Sequence, residues 1–138
     1  MNLTCAIFKP DCLERKVFGS VLARIEKAGF DIIAMKMLHM SKPMAESFYK
    51  VHQTKDFFPG LISFMTEAPC VVAVLKKENA VEEYRALMGA TDPQKAAAGT
   101  IRHDFAHDIQ RNIVHGSDSD ENAKREIAFF FAESELVL

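Results

Sequence analysis

Apolar residues along the chain alternate between short runs that suit buried strands and the three-to-four spacing of helices. Leu3 to Phe8 is a strand candidate, stopped by Lys9-Pro10-Asp11. Val17, Val21, Leu22, Ile25 and Ala28 recur at helical spacing, and Gly29 stands where a helix end favours glycine. Phe30 to Leu38, rich in Ile, Met and Phe, reads as a buried second strand. Ser41 suits the cap of a helix carrying Met44, Ala45 and Phe48, and a second short helix covers Phe57 to Met65. Cys70 to Lys76 is a third strand, and Ala80, Val81, Tyr84, Leu87 and Met88 mark a helix closed by Gly89.

From Ala90 to Arg111 the periodicity fades, and a long irregular stretch in a small domain points to function or to a missed element. A brief fourth strand, Asn112 to Val114, enters the turn His115 to Ser119, and a last helix carries Ala123, Ile127, Phe130 and Phe131 on one side. With the helical pair between the second and third strands set aside, the order is β-α-β, β-α-β. That order predicts an α+β, ferredoxin-like split βαβ domain over residues 1–138: a four-stranded antiparallel sheet with helices packed on one face and an inserted helical pair.

A length of 138 residues suits one domain, and 49% hydrophobic with 26% charged residues is ordinary globular usage. The net charge of −2 argues against a general electrostatic hold on nucleic acid or anionic membrane, leaving room for a local basic pocket. The longest apolar runs, six residues each at Cys70–Leu75 and Ile127–Ala132, fall far short of a membrane span. The N-terminus lacks a basic region leading into an apolar signal, and Cys5, Cys12 and Cys70 have no metal-type spacing. A cytoplasmic protein with free thiols is expected.

His115 is the first candidate for chemistry. A strand ending there places an imidazole at the mouth of the sheet, and Gly116 permits a sharp turn or a close ligand approach. Glu126, beside the apolar stripe of the last helix, is in position to bond one ring nitrogen and leave the other free as a nucleophile. The same residues also fit a half-buried histidine and a plain helix start. Lys9, Arg85 and Arg102 with Thr91 make a set able to bind a polyphosphate, although each also reads as surface charge. Glycine-loop nucleotide motifs are absent, so a phosphate site here has to be built from side chains. Phe57-Phe58 offers an aromatic for base stacking, with periodicity leaving the choice between the two open. His39, His52, His103 and His107 read as surface or element-end residues, and no metal cage is expected.

Lys9-Pro10-Asp11, Phe57-Phe58, Arg85 with Met88-Gly89-Ala90-Thr91, Gly99-Thr100-Ile101-Arg102 and Asn112 to Ser119 fall in the order and spacing of nucleoside diphosphate kinases. The chain resembles that family over about residues 3 to 135, and Asn-x-x-His-Gly-Ser-Asp is the most specific segment. The resemblance implies ping-pong transfer of the γ-phosphate of a nucleoside triphosphate, typically ATP, to a nucleoside diphosphate through a phosphohistidine at His115. It also implies that Lys9 and Asn112 hold the ribose hydroxyls, with Lys9 near the phosphates too. Arg85, Thr91 and Arg102 take the phosphates, Phe57 stacks on the base and Leu61 lies beside it. Tyr49 lies close to the histidine, which Ser117 and Glu126 support. By the same resemblance Mg²⁺ rides on the nucleotide phosphates, and the chain assembles as a homotetramer or homohexamer.

Four departures from the family pattern stand at the edges: Cys12, Thr66-Glu67-Ala68-Pro69, Asp92 and His103. Cys12 is a candidate exposed thiol near the pocket, and Asp92 and His103 flank phosphate-binding residues. The sequence ends at Leu138, short of the tail that many relatives set against a neighbouring subunit, which bears on assembly rather than on chemistry. One rival is a catalytically silent nucleotide-binding relative, opposed by the joint presence of His115, Glu126, Lys9, Arg85, Arg102 and Asn112. The other is a single-strand nucleic-acid binder, opposed by the missing aromatic RNA-binding strand motif and the negative charge.

Overall fold

The structure, a computed structural model, describes residues 2–138. Strands β1 (Leu3–Phe8), β2 (Asp31–Leu38), β3 (Cys70–Lys76) and β4 (Val114–Gly116) form one sheet in the order β2-β3-β1-β4. Every pairing is antiparallel, as the ferredoxin-like arrangement requires. Ile7 of β1 stands opposite Val72 on one side and His115 on the other, which places the histidine on an edge strand.

The helices are not confined to one face. Cys5, Ile7, Val72 and Val74 pack with residues of α3 (Lys42–Phe48), α4 (Phe58–Thr66) and α7 (Asp120–Phe130). Ala6, Phe8, Val71, Ala73 and Leu75 pack on the opposite face with α2 (Phe18–Lys27) and α5 (Ala80–Met88). The reason is in the strands themselves. β1 and β3 are apolar at successive positions, with Cys70 to Leu75 all buried, and a strand without a polar face needs cover on both sides.

Two short helices fall where no periodicity announced them. α1 (Pro10–Glu14) opens with proline, whose missing N–H suits a first turn. α6 (Ile101–Phe105) is capped by Thr100, whose Oγ1 accepts from the His103 amide at 3.3 Å. Five residues are too few to show a helical repeat. The fourth strand also begins later than its sequence suggests, at Val114 rather than Asn112, and so contains His115 instead of ending before it. Ile113 has φ 74°, outside the extended range, which breaks the run ahead of β4.

Among the described residues no helix is long and apolar enough to cross a membrane. The three cysteines are free and buried. Cys12 lies in the core under α2 and α5, where burial and then the charge of Asp11 push its thiol up to about 12. It is not the exposed thiol that its place in the sequence suggested.

Candidate active site

The β4 pairing and the start of α7 together fix His115. Ser119 caps α7 by accepting from the Asn122 amide at 3.1 Å, and the helix then carries Glu126 beneath the strand, 5% exposed. Glu126 Oε1 lies 3.0 Å from His115 Nε2 and accepts from Ser117 Oγ at 2.7 Å. Ser117 Oγ in turn accepts from the Cys5 amide at 3.2 Å, which anchors the group to β1. Burial alone would raise the Glu126 carboxyl. Hydrogen bonds from His115 and Ser117 and the nearby Arg125 outweigh it and hold the group below the usual range. An ionised carboxylate only accepts, so the contact puts the ring proton on Nε2 and leaves the lone pair on Nδ1. Phe48 and Tyr49 meet the imidazole edge-on, with ring centroids 5.7 Å and 6.4 Å away, and limit its rotation.

His115 borders a cleft of about 870 Å³, a size ordinary for a small-molecule site. At its base Lys9 Nζ donates to Asn112 Oδ1 at 2.8 Å, and Asn112 Nδ2 donates to the carbonyls of Thr91 and Ile109 at 3.3 and 3.1 Å. Lys9 is 8% exposed, and burial followed by the Arg102 charge lowers its ammonium from 10.5 to about 8, against a smaller opposing pull from Asp11. Arg102 is braced by the carbonyls of Gly89 and Val114 at 3.1 and 2.8 Å, while its buried Nε has no partner among the described residues. Arg85 in the last turn of α5 and Thr91 just beyond it are exposed along the same wall.

Gly89 makes that wall possible. Its φ is +84°, and a Cβ there would lie 2.5 Å from Thr100 Oγ1, so glycine alone lets α5 end against the Arg102 segment. Tyr49 also lines the cleft, its hydroxyl buried without a partner among the described residues. Phe57, 53% exposed, and Ile109, 63% exposed, leave large apolar surfaces bare in the cleft, which Leu61 also lines. The cleft thus combines the cations Lys9, Arg85 and Arg102 with bare apolar surface. Among the described residues no Asp or Glu lines it.

The residues expected to bind substrate, Lys9, Phe57, Leu61, Arg85, Thr91, Arg102 and Asn112, therefore share one cleft with Tyr49 and His115, and Ser117 and Glu126 stand behind the ring. Sequence reasoning missed Ile109 and Gln110, which lie in the aperiodic stretch, and read Phe48 as core alone. His52, read as a helix-end residue, lines the cleft with its ring 5.4 Å from that of Phe57. Asp92 and His103 are not among the lining residues: Asp92 accepts from the Gln94 amide, and His103 pairs with Asp104 at 2.9 Å.

An imidazole held at Nε2, bordering a cleft lined by cations and a bare aromatic ring, agrees with the comparisons with known proteins. The family model described as nucleoside diphosphate kinase matches residues 2–136. The chain belongs to the nucleoside diphosphate kinase family. It is 57% identical over 134 residues to the nucleoside diphosphate kinase of Salinibacter ruber, covering 97% of this chain and 94% of that one. The Histophilus somni enzyme is 56% identical over 136 residues, covering 99% and 96%. Among solved structures, the Aquifex aeolicus nucleoside diphosphate kinase superposes with a TM-score of 0.96 at 40% identity, covering 99% of each chain. A halophilic nucleoside diphosphate kinase from Halobacterium salinarum, solved in complex with CDP, gives 0.95 at 38% identity, covering 100% of this chain and 93% of that one. Nucleoside diphosphate kinase activity moves the γ-phosphate of a nucleoside triphosphate to a nucleoside diphosphate by a ping-pong route through a phosphohistidine.

Proposed function

We propose that His115 Nδ1 is the atom that carries the phosphoryl group between the two nucleotides. The observation behind this is the Glu126 contact on Nε2, which leaves Nδ1 as the unprotonated nitrogen of a ring bordering a basic cleft. In the first half-reaction Nδ1 attacks the γ-phosphorus, a P–N bond forms and the bond to the β–γ bridging oxygen breaks. The nucleoside diphosphate departs with that electron pair. The proton stays on Nε2, and the Glu126 carboxylate offsets the positive charge that develops on the ring. In the second half a β-phosphate oxygen of another nucleoside diphosphate attacks the same phosphorus, and the P–N pair returns to Nδ1.

Lys9, Arg85, Thr91 and Arg102 hold the phosphate chain, Lys9 and Asn112 the ribose, and Phe57 and Leu61 the base. Phosphoryl transfer is chiefly positioning and charge neutralisation, which this set supplies. Among the described residues Lys9, Arg85 and Arg102 line the cleft and no carboxylate does, so a Mg²⁺ ion fits as a passenger on the nucleotide phosphates, where it would neutralise their charge. A base gripped by stacking rather than by matched hydrogen bonds suits an enzyme indifferent to base identity.

We assign residues 1–138 to one catalytic domain working in the cytoplasm as a homotetramer or homohexamer. Supporting self-association, edge strand β2 leaves Met35 and Met37 46% and 65% exposed. The test of the carrier is brief incubation of wild type and His115→Ala with γ-labelled ATP and Mg²⁺, followed by a chase with unlabelled GDP. Acid-labile, alkali-stable label on the wild type only, chased into GTP, supports the proposal. A wild type that binds nucleotide without taking label contradicts it.

A further inference from the structure

Asp11 does not line the cleft, yet it is buried at 3% exposure. An acid in the first turn of a short helix is unremarkable. Its partner is not: Asp11 Oδ2 accepts from the Ile113 amide at 3.1 Å, across 102 positions of sequence. Ile113 is buried and β-branched with φ 74°, a conformation such residues rarely adopt. The Val114 amide donates to the Asn112 carbonyl at 2.8 Å, two residues back, which makes Asn112 to Val114 a γ-turn of the strained, positive-φ kind. Such a turn persists only where its surroundings hold it.

The segment that begins with Lys9 does the holding. The Lys9 amide donates to the Ile113 carbonyl at 2.9 Å while Asp11 takes the Ile113 N–H, so both backbone groups of the strained residue are gripped. Asn112, at one end of the turn, is tied independently by Lys9 and by the carbonyls of Thr91 and Ile109. His115, just past the other end, depends on the turn for the line along which β4 leaves it. We infer that Asp11 is a positioning residue for phosphoryl transfer, holding the γ-turn at Ile113 so that the His115 ring faces the phosphate with its Nδ1. This inference rests on His115 being the phosphoryl carrier.

Three variants decide it: Asp11→Asn keeps an oxygen that accepts the Ile113 N–H, Asp11→Ser is too short to reach it, and Asp11→Ala removes it. Single-turnover labelling at saturating ATP should slow by about ten- to a hundredfold in the Ser and Ala variants, the size of loss that small misplacement causes. Nucleotide affinity should hold within about threefold, because Asn112 keeps its own ties. Asp11→Asn should recover the rate to within about threefold, and the Ile113 amide should exchange with solvent slowly in wild type and Asn but faster in Ser and Ala. Asp11→Ser guards against an Ala variant that does not fold. Folded Ser or Ala protein with the wild-type rate, or an Asn variant as slow as Ala, overturns the inference while wild type still labels at His115. A wild type that takes no label there removes the underlying reading instead, and the inference with it.

Discussion

Raising the pH from 7 to 9 strips the proton from Lys9 in the empty cleft, because its ammonium titrates near 8 rather than 10.5. That fall amounts to about 3 kcal/mol against the charged form, at about 1.36 kcal/mol per pH unit. The side chain is only 8% exposed, so solvent screens little of it. Nucleotide phosphates placed beside Lys9 reverse the balance, since an opposite charge within a few ångströms restores the protonated lysine by about 1–3 units. Binding then takes up a proton whenever the pH is at or above the empty-site value. At pH 8 the uptake is about half a proton per nucleotide, and between pH 7 and pH 9 the affinity falls about tenfold. Calorimetric titration of Mg·ADP in buffers of differing ionisation enthalpy reads both quantities. Lys9→Arg, whose charge does not titrate in this range, should bind with a flat profile. The ligand-free protein gives an independent check: the unfolded chain holds the lysine proton between about 8 and 10.5 where the folded one does not, so stability rises with pH across that window. Affinity that is level from pH 7 to 9, with no proton uptake at pH 8, would mean that Lys9 keeps its proton in the empty cleft.

Three substitutions probe other parts of the site. Phe57→Ala removes the exposed stacking surface and should weaken nucleotide binding by about 1–3 kcal/mol, seen as a higher KM with kcat nearly unchanged, in steady-state assays with ADP and GDP. Glu126→Ala frees His115 Nε2 and leaves the Ser117 hydroxyl without its acceptor, so kcat should drop about ten- to a hundredfold while equilibrium dialysis finds nucleotide affinity almost intact. Gly116→Ala would set a Cβ 2.6 Å from Met88 Cε and 2.7 Å from Tyr84 Cδ2, so urea unfolding should show about 1–3 kcal/mol lost.

Long apolar-periodic segments were legible in the sequence because burial sets their pattern. β1 and β3 run over the residues their apolar stretches mark, and Ser41 caps α3 by accepting from the Met44 amide. The elements that sequence did not yield are those decided by single residues: α1 and α6 are five residues each, and β4 starts late because Ile113 turns out of the extended range. The two-sided cover of the sheet was visible in principle, since neither β1 nor β3 alternates apolar with polar. At the site, charged and aromatic residues at motif positions stood out, whereas Ile109 and Gln110 have no pattern to mark them, and the tie from Asp11 to Ile113 joins positions that only the fold brings together.

With Glu126 holding the ring proton on Nε2, Nδ1 is the His115 atom that should take the phosphoryl group. Phosphoenzyme prepared from histidine-labelled protein, examined by ³¹P–¹⁵N correlation NMR at alkaline pH, tests it most directly. The expected spectrum holds a single phosphohistidine at His115 with phosphorus coupled to Nδ1. Phosphorus on Nε2, or on any other residue, contradicts it.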